Sequence, residues 1–149
     1  RPWLAPRAAD PEAECRRYAE LLERMPADVV FLGIGKNGHL AFNDPHVALF
    51  DDPLIVKVVD LDPACREQQV HDGCFSRIEE VPTHAMTLTI PVLLDAERLF
   101  AIVPTEAKAR AIRATCDGPI RSDCPASILR THRDATLYID RGSASLLDR

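Results

Sequence analysis

The sequence predicts an α/β domain with a largely parallel sheet flanked by helices, and three observations carry that expectation. Apolar, β-branched runs alternate along the chain with stretches of helical spacing, the rhythm of strand–helix–strand units. The first run, Asp28–Ile34 (DVVFLGI), is almost continuously apolar, the pattern of a parallel strand covered on both faces. It feeds the stretch GIGKNGHLAFNDP, Gly33–Pro45, which holds three of the six glycines within six residues. In open parallel sheets, ligands bind beyond the carboxyl ends of the strands, which is where such a loop lies.

The elements follow in order. Asp10–Met25 starts with an aspartate cap, Pro11 at the first helical position, and Glu12 and Glu14 in the first turn; Ala13, Tyr18, Leu21, Leu22 and Met25 fall near helical spacing. Pro26 ends this helix. Beyond the glycine loop, Leu54–Leu61 (LIVKVVDL) reads as a second strand, and Asp62–Phe75 as a helix capped by Asp62, opened by Pro63 and stopped at Gly73. Alternation in His84–Ile90 (HAMTLTI) gives a third strand, Pro91–Ala96 a short helix, and Arg98–Val103 a fourth strand. Thr105 is expected to cap a helix over Glu106–Cys116 that stops at Gly118. Cys124–Thr131 reads as a short helix, Ala135–Ile139 as the last strand and Gly142–Asp148 as a terminal helical fragment. No repeat, low-complexity tract or linker interrupts the pattern, so residues 1–149 are read as one domain.

Composition narrows the partners. With 149 residues, 46% of them apolar, the chain can build one full core. A net charge of -5 and a pI near 5.5 argue against nucleic acid or an anionic membrane as the main partner. No apolar run approaches the roughly 20 residues that span a bilayer, and Arg1–Leu4 does not read as a signal peptide. The five cysteines are odd in number and form no CxxC pair, which predicts reduced thiols and a cytoplasmic protein rather than a disulfide framework or a zinc knuckle.

Gly33, Gly35 and Gly38 spell G-x-G-x-x-G literally, yet the residues that follow, His39 to Pro45, do not open a helix. Asp60 stands at the far end of the next strand, so a dinucleotide loop is disfavoured. His39 has an amide, Asn37, two residues before it and a carboxylate, Asp44, five after. A histidine so placed can move a proton near neutral pH, and a carboxylate on its other nitrogen would fix its tautomer and raise its basicity. On spacing alone, a proton-transfer site and a purely structural glycine loop both stay open.

GIGKNGHLAFNDP resembles the signature loop of the glucosamine-6-phosphate deaminase/isomerase family, roughly G-(I/V/L)-G-x-(D/N)-G-H-(I/L)-(A/G)-F-N-E-P, and differs only at the penultimate acid. The likeness extends to AECRRYAELL before the loop and to EVPTHAMTLTIPVLLDAERLFAIVPTEAKARAI, CPASILRTH and ATLYID after it, covering about Asp10 to Leu147. The 6-phosphogluconolactonases share the G-x-G-x-D-G-H core but not the A-F-N-(E/D)-P continuation, so the loop favours the deaminase branch. The resemblance implies a Rossmann-like sheet and a reaction in which glucosamine 6-phosphate opens its ring, isomerises to the ketose level and loses ammonia to give fructose 6-phosphate. It implies a small sugar phosphate as the partner, no metal and no redox cofactor, and is compatible with a homo-oligomer. A lactonase-like hydrolase and a catalytically impaired sugar-phosphate binder are the alternatives.

Carried over by position, His39 matches the ring-opening acid/base, with Asn37 and Asp44 as the polar pair that orients and tunes it. Gly35 and Gly38 give the substrate close access to the backbone, and Lys108 matches the phosphate lysine. His71 stands where the family has a phosphate arginine, and Arg66, more than a turn earlier, is the further substrate-binding candidate. Asn37 cannot ionise, so charge assistance to His39 falls to Asp44, whose side chain is one methylene shorter than the family's glutamate. Family members begin with a further region that carries a glycine/serine phosphate loop and the aspartate that moves the C2 proton. Nothing in Arg1–Asp10 resembles either, so the stretch is expected to lack the N-terminal part of the family fold and to match its C-terminal two-thirds.

Overall fold

Residues 10–148 are described by the structure, a computed structural model; the lead Arg1–Ala9 lies outside the described residues. The strands are β1 (Val29–Leu32), β2 (Val56–Asp60), β3 (His84–Leu88), β4 (Arg98–Val103) and β5 (Ala135–Ile139). The helices are α1 (Pro11–Arg24), α2 (Pro63–His71), α3 (Ile90–Leu94) and α4 (Ala109–Asp117), with short 3-10 segments at Ile78–Glu80, Glu106–Lys108 and Pro125–Thr131.

Both aspartate caps form as the sequence predicts. Asp10 accepts from the amides of Glu12 and Ala13 at 3.0 and 3.1 Å, and Asp62 accepts from Ala64 at 2.8 Å, so orphan donors of each first turn are satisfied ahead of a proline. The second helix is shorter than expected: it ends at His71, and Gly73, at φ +74°, takes the left-handed turn that lets the chain leave.

The parallel sheet has the order β1-β4-β5, with Val30 opposite Leu99 and Ala101 opposite Leu137. One face carries the core: Leu99, Ala101 and Val103 of β4 pack with Ile112 of α4, Leu129 of the Pro125–Thr131 segment, and Ile34 and Leu40 of the glycine loop. The loop is therefore part of the core. Ile112 is fully buried in this cluster, and Ile112→Ala is expected to cost about 2–5 kcal/mol, read as a lower urea midpoint at unchanged m-value.

Several expectations need correction. The strand β1 is not covered on both faces: its burial alternates, and Phe31 is 70% exposed. On its outer face Phe31 stacks on Phe100 at a centroid separation of 5.2 Å, Tyr138 lies tilted against Phe100 at 6.3 Å, and Phe31 and Tyr138 remain exposed. The strands β2 and β3 do not join the parallel sheet but form a separate antiparallel ribbon, with Val56 opposite Leu88 and Asp60 opposite His84. The alternation that revealed β3 is itself the mark of an antiparallel, half-exposed strand. Thr105 does not cap a helix through its side chain; it sits at φ +81°, and a 3-10 turn precedes α4. Gly142–Asp148 is a run of turns rather than a helix, because Asp140 gathers the chain by accepting from the Ser143 amide at 2.7 Å and the Thr105 amide at 3.0 Å. Among the described residues, no helix is long and apolar enough to cross a membrane.

Candidate active site

The loop after β1 is a cage for one imidazole. Hydrogen bonds from Gly35 N to the His39 carbonyl and from Gly38 N to the Gly35 carbonyl, each 3.0 Å, close the chain on itself. The Ala126 amide donates to the Gly38 carbonyl at 2.8 Å and ties the loop to the Pro125–Thr131 segment. Gly38 has φ +84°, and a Cβ there would meet Cys124 Sγ at 2.8 Å, so both backbone and space demand glycine. At Gly35 the reason is different: a Cβ would overlap the ring atoms Cε1, Nδ1 and Nε2 of His39. The imidazole therefore lies directly on the Gly35 backbone.

The far end of the loop is pinned by Asn43, fully buried, whose Nδ2 donates to the carbonyls of Leu40 at 2.9 Å and Leu88 at 2.8 Å. Thr87 accepts from the Phe42 amide at 3.1 Å. The ribbon thus holds the loop in place, with Lys57 of β2 bracing the next turn through Asp52 at 2.7 Å and the Val47 carbonyl at 2.6 Å.

Asp44 follows Asn43 and is fully buried. His39 Nδ1 lies 2.9 Å from its Oδ1, and Asn37 Nδ2 donates to the same oxygen at 2.9 Å, while Asn37 Oδ1 accepts from the His39 amide at 3.1 Å. The shorter carboxylate reaches the ring. Burial pushes the Asp44 carboxyl up, but the hydrogen bonds from His39 and Asn37, with the charge the imidazole has when protonated, outweigh it and leave the group below its ordinary value. An ionised carboxylate only accepts, so the proton between the two side chains sits on Nδ1 and Nε2 carries the lone pair. That arrangement can take a proton and return it.

His39 borders two concavities. One, of about 320 Å³, is lined by Lys36, Asn37, His39, Cys65, Gln68 and His71 among others; a second, of about 270 Å³, by Gly33, Gly35, His39, Ala41 and Lys108. The structure brings His71 and Lys108 to the edge of the same imidazole, though in different hollows. It does not bring Arg66 there: that guanidinium donates to the carbonyls of Ile78 at 2.8 Å and Val81 at 2.9 Å and holds α2 to the segment behind it. Burial, aided by the Lys36 charge, pushes the Lys108 ammonium below its ordinary value against the pull of Asp72 and Cys65.

Three contributors escaped the sequence reading. Lys36 stands in the glycine loop beside Asn37, and a cation among glycines was the available signal. Thr87 could have been found from the inward register of β3. Cys65 gave no signal, because one cysteine in a polar helix start is indistinguishable from a buried filler. It is buried under the site, and a metal-ligating atom from each of His39, Asp44 and Cys65 lies within 4.8 Å of the others.

Known proteins resemble this chain in sequence and in fold. The family described as glucosamine-6-phosphate isomerases/6-phosphogluconolactonase matches residues 3–138. A glucosamine-6-phosphate deaminase of Listeria monocytogenes serotype 4a is 42% identical over 140 residues, covering 94% of this chain and 58% of its own length. One from Corynebacterium glutamicum is 40% identical over 139 residues, covering 93% of this chain and 53% of that protein. The chain thus spans a little over half the length of these relatives. Among solved structures, a monomeric glucosamine-6-phosphate deaminase superposes with a TM-score of 0.88 at 39% identity, covering 94% of this chain and 56% of that one. A 6-phosphogluconolactonase from Trypanosoma brucei superposes at 0.72 with 16% identity, covering 99% and 58%, which shows a shared fold.

Proposed function

The chain belongs to the family of glucosamine-6-phosphate isomerases and 6-phosphogluconolactonases, and from that premise we propose that the protein converts glucosamine 6-phosphate and water to fructose 6-phosphate and ammonia. The observation that carries the reading is the 2.9 Å contact of His39 Nδ1 with a buried Asp44, set in the A-F-N-D-P continuation that the lactonase loop lacks. In the closed sugar, opening the ring requires removing the proton of the anomeric hydroxyl and giving one to the ring oxygen. Both oxygens are bonded to the same carbon, so a single imidazole nitrogen can serve them in turn. Asp44 holds Nδ1–H, stabilises the imidazolium formed in between, and leaves Nε2 as the nitrogen that exchanges. The carbon-acid step at C2 needs a base other than His39, since the imidazole is committed to the two oxygens. Water then replaces the amino group at the ketose level, and ammonia leaves.

Lys108 is the proposed phosphate ligand. Its ammonium is partly desolvated beside the loop, so a dianion recovers interaction that water no longer supplies. Lys108→Gln is expected to raise KM for the sugar phosphate by roughly ten- to a hundredfold, the loss of one charge-assisted contact, with kcat changed less; steady-state kinetics reads the split. His71 and Lys36 are proposed to line the neighbouring hollow that His39 also borders. A phosphorylated metabolite as substrate and five free cysteines fit the cytoplasm.

The test is a parallel assay of the protein for ammonia from glucosamine 6-phosphate and for hydrolysis of 6-phosphogluconolactone. Ammonia release with little lactone hydrolysis is expected; lactone hydrolysis without ammonia would overturn the reading.

A further inference from the structure

We propose that His39, Asp44 and Cys65 form an inhibitory site for a zinc-class divalent cation, which on binding withdraws the imidazole from proton transfer. The binding does not depend on which sugar phosphate is turned over; only its consequence rests on the role given to His39 above.

One ligand atom from each of the three side chains lies within 4.8 Å of the other two, so a point exists within about 2.8 Å of all three, and small side-chain shifts bring it to the 2.0–2.3 Å of zinc bonds. Asp44 is fully buried, and its Oδ2 lacks a closed hydrogen bond: the Asp62 amide is near enough to act on the carboxyl but does not complete one. A buried carboxylate oxygen with no completed hydrogen bond is under-satisfied and draws positive charge. Cys65, also buried, has no part in the chemistry proposed for the site. It opens onto the concavity it shares with His39, which leaves room for water as a fourth ligand.

The donor set selects the ion. Imidazole, carboxylate and thiolate suit zinc and its softer relatives, whereas magnesium and calcium want oxygen alone. Thiolate and carboxylate together neutralise a dication, so the occupied site buries no net charge. Burial and the charges of Asp44 and Asp62 push the thiol up to about 11, so near neutral pH it holds its proton until a metal displaces it. The proton balance is simple. The thiol proton goes to solvent, and the metal takes the lone pair of Nδ1, the nitrogen that already faces Asp44. The ring's remaining hydrogen then sits on Nε2. That tautomer is the reverse of the working one, and Nε2 can no longer accept a proton.

Cobalt(II) is the probe, because a thiolate ligand gives it a near-ultraviolet charge-transfer band that carboxylates and imidazoles do not. The protein and its Cys74→Ser variant, which alters an exposed thiol, should both develop the band at one equivalent of metal, and zinc should bleach it. Cys65→Ala and the near-isosteric Cys65→Ser should lose it, and His39→Gln, with the thiol intact, should bind cobalt at least tenfold more weakly. In parallel, zinc should suppress ammonia release and a chelator restore it. Absence of the band in the unaltered protein, or its survival in both Cys65 variants, would overturn the proposal.

Discussion

His39→Gln is expected to lower kcat for the proposed ammonia release from glucosamine 6-phosphate by about a hundredfold to ten-thousandfold, the range for loss of a positioned acid/base. Glutamine keeps a polar side chain of similar reach, so the loop need not rearrange, but no atom of it exchanges a proton near neutral pH. The backbone of the site does not depend on the imidazole. The Gly35, Gly38 and Ala126 amides bond to main-chain carbonyls, and Asn43 is held by Leu40 and Leu88. Sugar-phosphate affinity by calorimetry should therefore change little while turnover collapses. Affinity and turnover falling together would mean that His39 is a binding residue rather than the proton carrier.

Gly35→Ala has the second largest expected effect, for a steric reason. The added methyl would occupy the space of three His39 ring atoms, and the ring cannot stay where it meets Asp44 at 2.9 Å. A displacement of about 1 Å in a catalytic group costs on the order of a hundredfold in rate, and overpacking costs about 1–3 kcal/mol of stability. Gly73→Ala supplies the contrast. Gly73 has φ +74° with nothing within 4 Å of a new Cβ, so that change strains the backbone after α2 but leaves the rate unaltered. Rates and urea midpoints for the two variants separate a displaced imidazole from generic glycine loss.

What could be read from the residues was local and chemical. Asp10 and Asp62 before prolines announced their helices because a cap depends on only a few consecutive residues. The glycine loop and the His39, Asn37, Asp44 set were visible for the same reason: their contacts span seven residues or fewer. Contacts across the chain were not legible. Thr87 meets Phe42 over 45 positions, and Thr105 meets Asp140 over 35, so neither the bracing of the loop nor the bend that replaces a cap is written locally. Arg66 illustrates the same limit: a cation near the expected phosphate position is claimed by two carbonyls further along the chain. The exposed Phe31 and Tyr138, on either side of a half-buried Phe100, show that apolar composition measures what a strand can bury, not whether both faces are covered.

The proposed proton transfer depends on Asp44 fixing His39 in one tautomer, and long-range proton–nitrogen NMR of the imidazole ring reads that directly. The neutral ring should be protonated at Nδ1 with a bare Nε2, and Asp44→Ala should release it toward an exchanging mixture of both tautomers. A neutral His39 protonated at Nε2 in the unaltered protein would contradict the assignment of the proton-carrying nitrogen, and with it the mechanism.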